Sequence, residues 1–110
     1  MYLSDMLAAT RAALGYMDGR TRVDLDDDPM LRDAVIRQLE ILGEAATHVS
    51  VTTRDAQPSI PWRGLAGMRN VLIHAYHRVD LDEVWHTTSV DLPALLDALE
   101  RLVAEVGLTT

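Results

Sequence analysis

The sequence predicts an all-α protein, a bundle of four to five helices. Apolar residues recur at spacings of three and four along most of the chain, as they do on one face of an α-helix. Aspartate and proline lie where helices begin, and glycine lies where they end. With 110 residues, 48% of them apolar, the chain suffices for one hydrophobic core, so we expect a single domain over residues 1–110.

The first two helices are predicted over residues 2–18 and 29–50. Gly19 closes the first helix, and Asp28, followed by a proline, is in the position of an N-cap for the second. The apolar stripe of the second helix is wide enough to face both a core and a second subunit. Glu44 lies within this stripe, where a carboxylate is either on the surface or paired with an arginine.

A loop is predicted over residues 51–60, followed by a third helix over residues 61–77. Gly64 and Gly67 lie within this helix, although each costs about 1 kcal/mol relative to alanine. We therefore expect another helix or a ligand to approach the backbone closely at these two positions. The remaining helices are a short fourth that is capped by Asp80 and a fifth that begins at Asp91 and ends at Gly107.

The composition excludes several classes of protein. Because the chain has no cysteine, disulfide scaffolds, thiolate nucleophiles and cysteine-based metal centres are excluded. No apolar run approaches the roughly 20 residues of a membrane span, and the first residues lack the basic segment of a signal peptide. We expect a soluble, cytoplasmic protein with no membrane partner.

The charge is distributed unevenly along the chain. The net charge is −7, yet no Asp or Glu occurs between Ala56 and Val79. This acid-free window holds Arg63, Arg69 and Arg78. A local excess of arginine on an otherwise acidic chain favours a small anion-binding site, sized for one phosphate or a short stretch of nucleic-acid backbone. A chance gap in an acid-rich sequence is the alternative.

One face of the third helix collects polar side chains. On an ideal helical wheel, the side opposite the apolar stripe carries Arg63, Asn70, His74, His77 and Arg78. His74 and His77 have a spacing that would suit two metal ligands, but no third ligand accompanies them. We therefore predict no metal and no cofactor. A solvated polar face is the simplest interpretation of the spacing alone.

A motif in this helix resembles the signature of a known family. From Arg69 to Tyr76 the residues read R-N-x3-H-x-Y. Further similar segments occur in the order ILGEA, IPWR, GMRN, VDLDEVW and DLP. In these segments the chain resembles HEPN-domain proteins, specifically the HepT-like toxins paired with minimal nucleotidyltransferase antitoxins. The resemblance covers most of the chain.

The resemblance implies a helical bundle that forms a homodimer. Arg69 and His74 of both subunits would line a cleft in which RNA is cleaved without a metal ion. The partner antitoxin would be a nucleotidyltransferase, and Tyr76 resembles a target for adenylylation by it. An AMP attached there would place a bulky anion beside Arg69 and could fill the RNA site.

The chemistry of these residues agrees with the implied roles. His74 can exchange a proton near neutral pH with a ribose hydroxyl or a leaving oxygen, and the fork of Arg69 can hold the scissile phosphate. Asn70 and Glu44 are expected to support this pair, Asn70 by orienting His74 or by contacting the phosphate. Further substrate contacts are expected from Arg63, His77 and Arg78.

The helical geometry separates the two principal residues. On an ideal helix, Arg69 and His74 are about 140° apart around the axis, whereas Arg69 and Tyr76 share a side. The reach of the arginine side chain, a helix end near His74 or a second subunit must therefore close the gap.

Two other functions stay open at this point. The chain is a non-catalytic binding module if Arg69, His74 and Tyr76 only hold a nucleotide or phosphate for a nucleotidyltransferase that modifies the chain. The acidic net charge favours this alternative. The chain is a purely structural helical dimer if the signature is a coincidence.

Overall fold

The computed structural model describes residues 1–108, so the last two positions of the predicted domain lie outside the described residues. The described part is helical and contains no strand, which confirms the predicted all-α class. Its α-helices are α1 (Tyr2–Met17), α2 (Arg22–Asp27), α3 (Pro29–Thr47), α4 (Val51–Ala56), α5 (Trp62–His74), α6 (Leu81–His86) and α7 (Leu92–Leu108). A 3-10 turn (Tyr76–Arg78) follows α5, and a π-helical turn (Thr87–Asp91) joins α6 to α7.

Four long helices, α1, α3, α5 and α7, form the bundle. Helix α3 packs against both α1 and α5, and α1 also packs against α7. Because α3 lies between α1 and α5, the wide apolar stripe predicted for it packs against helices of the same chain. The largest fully buried apolar side chains of the core are Met6, Leu25, Val35, Leu39, Leu42, Leu92 and Leu99.

Three of the predicted helix boundaries are confirmed, at Gly19, Asp28 and Asp80. Asp28 accepts a hydrogen bond from the Leu31 N–H at 3.1 Å, and Asp80 accepts one from the Asp82 N–H at 2.9 Å. Gly19 follows α1 with a φ of +72°, a conformation that glycine adopts at little cost. At these three positions the capping side chain or the left-handed glycine ends or begins a helix as expected.

The prediction of a loop over residues 51–60 is wrong at its beginning. Ser50 accepts a hydrogen bond from the Thr53 N–H at 3.2 Å and so caps the six-residue helix α4. A similar short helix, α2, follows Thr21, whose N–H donates to Asp24 at 2.7 Å. Clusters of Ser, Thr and Asp indicate loops and helix starts alike, because the same side chains bond to nearby backbone in both.

The fifth predicted helix does not begin afresh at Asp91. The π-helical turn makes the chain continuously helical from Leu81 to Leu108, and the helix runs through Gly107. Pro93 has no N–H to donate to the carbonyl four residues before it, and a wider π turn absorbs this break. The proline therefore marks a change of helical pitch, not a helix start.

Helix α5 ends at His74, three residues earlier than predicted. The backbone of Ala75 leaves the helical conformation, with φ −129° and ψ 39°. The next three residues form the separate 3-10 turn. His74 is therefore the last residue of a long helix, and Tyr76 lies in the turn beyond it.

The close approach of backbones occurs at a different glycine from those predicted. Apart from its chain neighbours and the backbone of its own helix, Gly67 has no atom of residues 1–108 within 4 Å of the place where a Cβ would be. At Gly64 the one such neighbour is Pro61, at 3.7 Å. A Cβ on Gly43 would instead lie 2.6 Å from the carbonyl oxygen of Leu65 and even closer to the Cβ of Arg69. Helices α3 and α5 thus cross at Gly43.

The described helices also bear on membrane insertion. None of the helices within residues 1–108 combines the length and the apolar character that a membrane span requires.

Candidate active site

The residues of the R-N-x3-H-x-Y motif face different directions in the structure. Arg69 lies in the middle of α5 and is directed towards α3. His74 is exposed at the last residue of α5, and within residues 1–108 its ring takes part in no hydrogen bond or ion pair. Tyr76 is also exposed but its hydroxyl reaches α3. Arg69 and Tyr76 were predicted to lie on one side of the helix, and both side chains do face α3.

Arg69 is held by two neighbouring side chains. Its Nη2 atom lies 2.8 Å from Oε2 of Glu44, and its Nη1 donates to Oδ1 of Asn70 at 2.7 Å. The side chains of Arg69 and Glu44 are 29% and 46% exposed, so the ion pair remains open to solvent and to a ligand. The absence of a side chain on Gly43 lets Arg69 pass this close to α3. The structure thus brings together three of the predicted site residues.

Two residues to which no role was assigned from the sequence extend this network. His48 lies with its Nε2 atom 3.0 Å from Oε1 of Glu44, one helical turn further along α3. Its ring stacks on Tyr2, with a centroid distance of 4.9 Å and an interplanar angle of 22°. The i,i+4 spacing of Glu44 and His48 was the signal available for this pair.

The network stabilises the ionised form of Glu44. The hydrogen bond with His48 and then the positive charge of Arg69 lower the pKa of Glu44, although partial burial opposes the change. A carboxylate with a lowered pKa stabilises the fold above its ordinary pKa, and this contribution is lost as the pH falls through the lowered value. Glu44 therefore remains charged at neutral pH and holds Arg69 in place.

A shallow cleft of about 710 Å³ opens where α1, α3 and α5 meet. Its lining includes Tyr2, Glu44, His48, Arg69 and Ile73. His74 is absent from the described residues that line it, because the imidazole is at the exposed end of α5. Within one chain the structure therefore does not bring Arg69 and His74 to the same cleft.

The other predicted substrate contacts lie around the two ends of α5. Arg63 is exposed in the first turn of the helix, about 16 Å along the axis from His74 at 1.5 Å per residue. His77 and Arg78 are exposed in the 3-10 turn, directly after His74. No group of three metal-ligating side chains occurs in the part of the chain that the structure describes.

Tyr76 contacts a second point on α3. Its hydroxyl donates a hydrogen bond to Oδ1 of Asp33 at 2.5 Å. Asp33 and Glu44 are 11 residues apart on α3, or about 16 Å along the helix axis. In the unmodified chain, the Tyr76 hydroxyl therefore lies beside Asp33 and not beside the Glu44 carboxylate that holds Arg69.

An apolar groove of about 860 Å³ lies on another face of the molecule, between α5 and the continuous helix of α6 and α7. Val71 of α5 and Val90 of the π-helical turn line it, and these side chains are 55% and 56% exposed. Ile73, which lines the Arg69 cleft, is also 42% exposed. Two apolar residues within the motif are thus exposed, Val71 in the apolar groove and Ile73 in the Arg69 cleft.

An all-helical bundle with R-N-x3-H-x-Y at the end of its third long helix has the fold and the motif of HEPN-type ribonucleases. A family model described as ribonuclease HepT-like matches residues 6–102, and the chain belongs to this family. The family resemblance noted from the sequence is confirmed. Membership of this family supports a ribonuclease-type function for the chain.

Several named proteins are similar to the chain over nearly its whole length. A "Probable ribonuclease HepT" of Thermococcus cleftensis is 44% identical over 101 residues, which are 92% of each chain. A "Putative RNase" of Caldanaerobacter subterraneus subsp. tengcongensis is 33% identical over 96% of this chain and 90% of its own. No solved structure matches the chain.

One relative is a longer protein. A Methanocaldococcus jannaschii protein, named as a gamma-glutamylcyclotransferase and putative RNase, is 33% identical over 106 residues. The match covers 96% of this chain but 48% of that relative, so the chain spans about half of its length.

Proposed function

We propose that the chain is the toxin of a toxin–antitoxin pair, a metal-independent endoribonuclease that acts as a homodimer. The observation that carries the proposal is the placement of His74, exposed at the end of α5 and five residues after the half-exposed Arg69. In a chain of the HepT-like family, an exposed imidazole and a guanidinium in this motif are suited to cleaving a phosphodiester.

The proposed cleavage is a transesterification. The ribose 2′-oxygen attacks the phosphorus, the bond to the 5′-oxygen breaks, and a cyclic phosphate forms. His74 of one subunit takes the proton of the 2′-hydroxyl, and the same residue of a second copy gives a proton to the leaving oxygen. Arg69 stabilises the extra negative charge on the phosphoryl oxygens with its planar fork.

A second copy is needed because Arg69 and His74 do not meet within one chain. The exposed Val71 and Ile73 lie between these two residues in the sequence of α5. A second copy that covers apolar surface beside the motif would bring a second set of these groups to the site. Doubling the arginines would also help an acidic protein to hold RNA.

Arg69→Ala should lower the rate of RNA cleavage in EDTA by about 10²- to 10³-fold, because one preorganised donor to the developing charge is lost. Arg69→Lys should recover part of the rate, since it restores the charge without the fork. The initial rate is measured with a defined RNA, and the product ends are identified. The control is Arg101→Ala on α7, where an exposed arginine is paired with Asp97 at 3.4 Å. Cleavage by Arg69→Ala at the wild-type rate would contradict the role of Arg69.

The partner in this proposal is a minimal nucleotidyltransferase antitoxin that neutralises the toxin by adenylylating Tyr76. Incubation with such an enzyme, ATP and Mg²⁺ should add the mass of AMP to the wild-type chain and not to Tyr76→Phe. The matched control is Tyr16→Phe, because Tyr16 and Tyr76 are 42% and 46% exposed. Equal modification of Tyr76→Phe would place the acceptor elsewhere.

One observation favours the alternative function of a non-catalytic nucleotide- or phosphate-binding partner that a nucleotidyltransferase modifies. The guanidinium of Arg69 is already engaged by Glu44 and Asn70, so its fork is not free in this conformation. If folded, unmodified wild-type protein cleaves no RNA but accepts AMP on Tyr76, this alternative replaces the ribonuclease.

A further inference from the structure

The contact between Tyr76 and Asp33 joins two exposed residues that are 43 positions apart in the sequence. The hydroxyl of Tyr76 donates to the carboxylate at 2.5 Å. Tyr76 is 46% exposed, so it lies at the surface, where a large reagent can approach it. The structure therefore presents a hydroxyl nucleophile that is in contact with a proton acceptor and open to solvent.

We propose that Asp33 is the general base for adenylylation of Tyr76. This inference rests on the proposed modification of Tyr76. A tyrosine hydroxyl has an ordinary pKa of about 10, so it is a weak nucleophile at neutral pH unless a base takes its proton. A general base must be within hydrogen-bond reach of that proton, and Asp33 meets this requirement.

The chemical step balances with ATP as the co-reactant. The Oη atom of Tyr76 attacks the α-phosphorus of ATP, and the new Oη–P bond forms as the bond to the pyrophosphate oxygen breaks. The proton of the hydroxyl passes to Asp33, and pyrophosphate leaves with the bonding electron pair. Asp33 becomes neutral in this step, which removes its repulsion of the phosphate that now lies beside it.

The surroundings of Asp33 leave its carboxylate available for this task. Within residues 1–108 it forms no ion pair, and the neighbouring Arg32 donates instead to the backbone carbonyls of Leu25 and Asp26 at 3.2 and 3.4 Å. Arg32 and Glu40 are the other charged groups that act on the Tyr76 hydroxyl. Neither of them is hydrogen-bonded to it.

The resting contact favours the neutral hydroxyl. The hydrogen bond to Asp33 raises the pKa of Tyr76, with smaller contributions from burial and from Glu40 and an opposing one from Arg32. The phenolate therefore does not form in advance, and the proton must leave as the Oη–P bond forms.

The test compares initial rates of AMP incorporation by mass spectrometry, using the full chain, ATP, Mg²⁺ and a minimal nucleotidyltransferase. Asp33→Asn keeps an oxygen that accepts the hydrogen bond but removes the base, so the rate should fall by about 10²-fold. Glu40→Gln is the control, because it removes a nearby negative charge that does not touch the hydroxyl. Its rate should remain near that of the wild type.

The pH dependence separates a base from a structural contact. The deficit of Asp33→Asn should narrow as the pH rises towards the pKa of Tyr76, because the phenolate then needs no base. Ultraviolet titration of the variant, with Tyr76→Phe as reference, should show a lower pKa for Tyr76 than in the wild type.

Three outcomes would overturn the proposal in distinguishable ways. An Asp33→Asn variant with a lowered Tyr76 pKa but the wild-type rate would show that the contact is only structural. AMP on Tyr76→Phe at the wild-type rate would reject Tyr76 as the acceptor and Asp33 with it. Wild-type chain that stays unmodified by a demonstrably active enzyme would reject the modification itself, leaving the ribonuclease proposal to its own test.

Discussion

Replacing His74 by alanine is expected to lower the rate of RNA cleavage by about 10²- to 10⁴-fold, the range contributed by a positioned proton donor or acceptor. The imidazole is exposed at the end of α5, and within residues 1–108 it forms no hydrogen bond or ion pair on which the fold depends. The variant should therefore unfold at the temperature of the wild type. The measurement is the initial rate in EDTA, with the product ends identified.

The matched control for this variant is His86→Ala. His86 is also an exposed histidine, and its only ion pair among the described residues is a distant one with Asp91, at 3.7 Å. We expect cleavage at the wild-type rate from this control. If His74→Ala cleaves RNA as fast as the wild type, His74 is not the group that transfers the proton, or the activity belongs to a contaminant.

The fold could be predicted where the sequence carries a local physical signal. Apolar periodicity identified the four long helices, and the caps at Asp28 and Asp80 lie where their side chains can accept a backbone N–H. The end of α5 could not be predicted in this way. The chain leaves the helix at Ala75, and neither glycine nor proline marks that position.

The acid-free window shows the limit of analysing charge along the sequence. No Asp or Glu occurs between Ala56 and Val79, yet α3 supplies a carboxylate to Arg69 and another to Tyr76. Both acids come from outside the window through the packing of α3 on α5. The positive charge inferred from the sequence is therefore partly neutralised in the folded chain. A phosphate that binds Arg69 would have to compete with the Glu44 carboxylate.

Some of the side chains that meet around Arg69 could be predicted from the sequence, but their arrangement could not. Glu44 was a candidate for pairing with an arginine, and its partner in the structure is Arg69. The stacking of Tyr2 on His48 depends on the packing of α1 against α3, for which no short-range pattern exists. The separation of Arg69 from His74 did follow from helical geometry, because five residues rotate a side chain well away from its starting face.

The glycines show the same limit, because the cost of a glycine in a helix does not reveal what lies beside it. Gly43, Gly64 and Gly67 all lie within long helices, and only Gly64 and Gly67 were expected to mark a close approach. Of these three glycines, only Gly43 is in close contact with another helix, where α3 approaches the backbone of Leu65 and the Cβ of Arg69 in α5. Position 43 thus controls both the packing of the bundle and the placement of Arg69.

Gly43→Val is expected to lower the free energy of unfolding by about 3 kcal/mol, a large fraction of the stability of a small domain. Its Cβ would overlap atoms of α5 that cannot move aside as a flexible side-chain end could. Helices α3 and α5 must then separate, which also draws Arg69 away from Glu44. Urea denaturation measures the loss of stability, and the rate of RNA cleavage measures the displacement of Arg69.

The matched control is Gly67→Val, in α5. In the described part of the chain, no atom outside its own helical backbone and chain neighbours lies within 4 Å of the place of its Cβ. Valine is also a slightly better helix former than glycine. Its stability should therefore equal or slightly exceed that of the wild type. A large loss at position 67 would instead mean that a second copy or a ligand covers that position, as first expected from the sequence. Wild-type stability of Gly43→Val would show that α3 and α5 do not cross at this glycine, and the placement of Arg69 against Glu44 would then have to be revised.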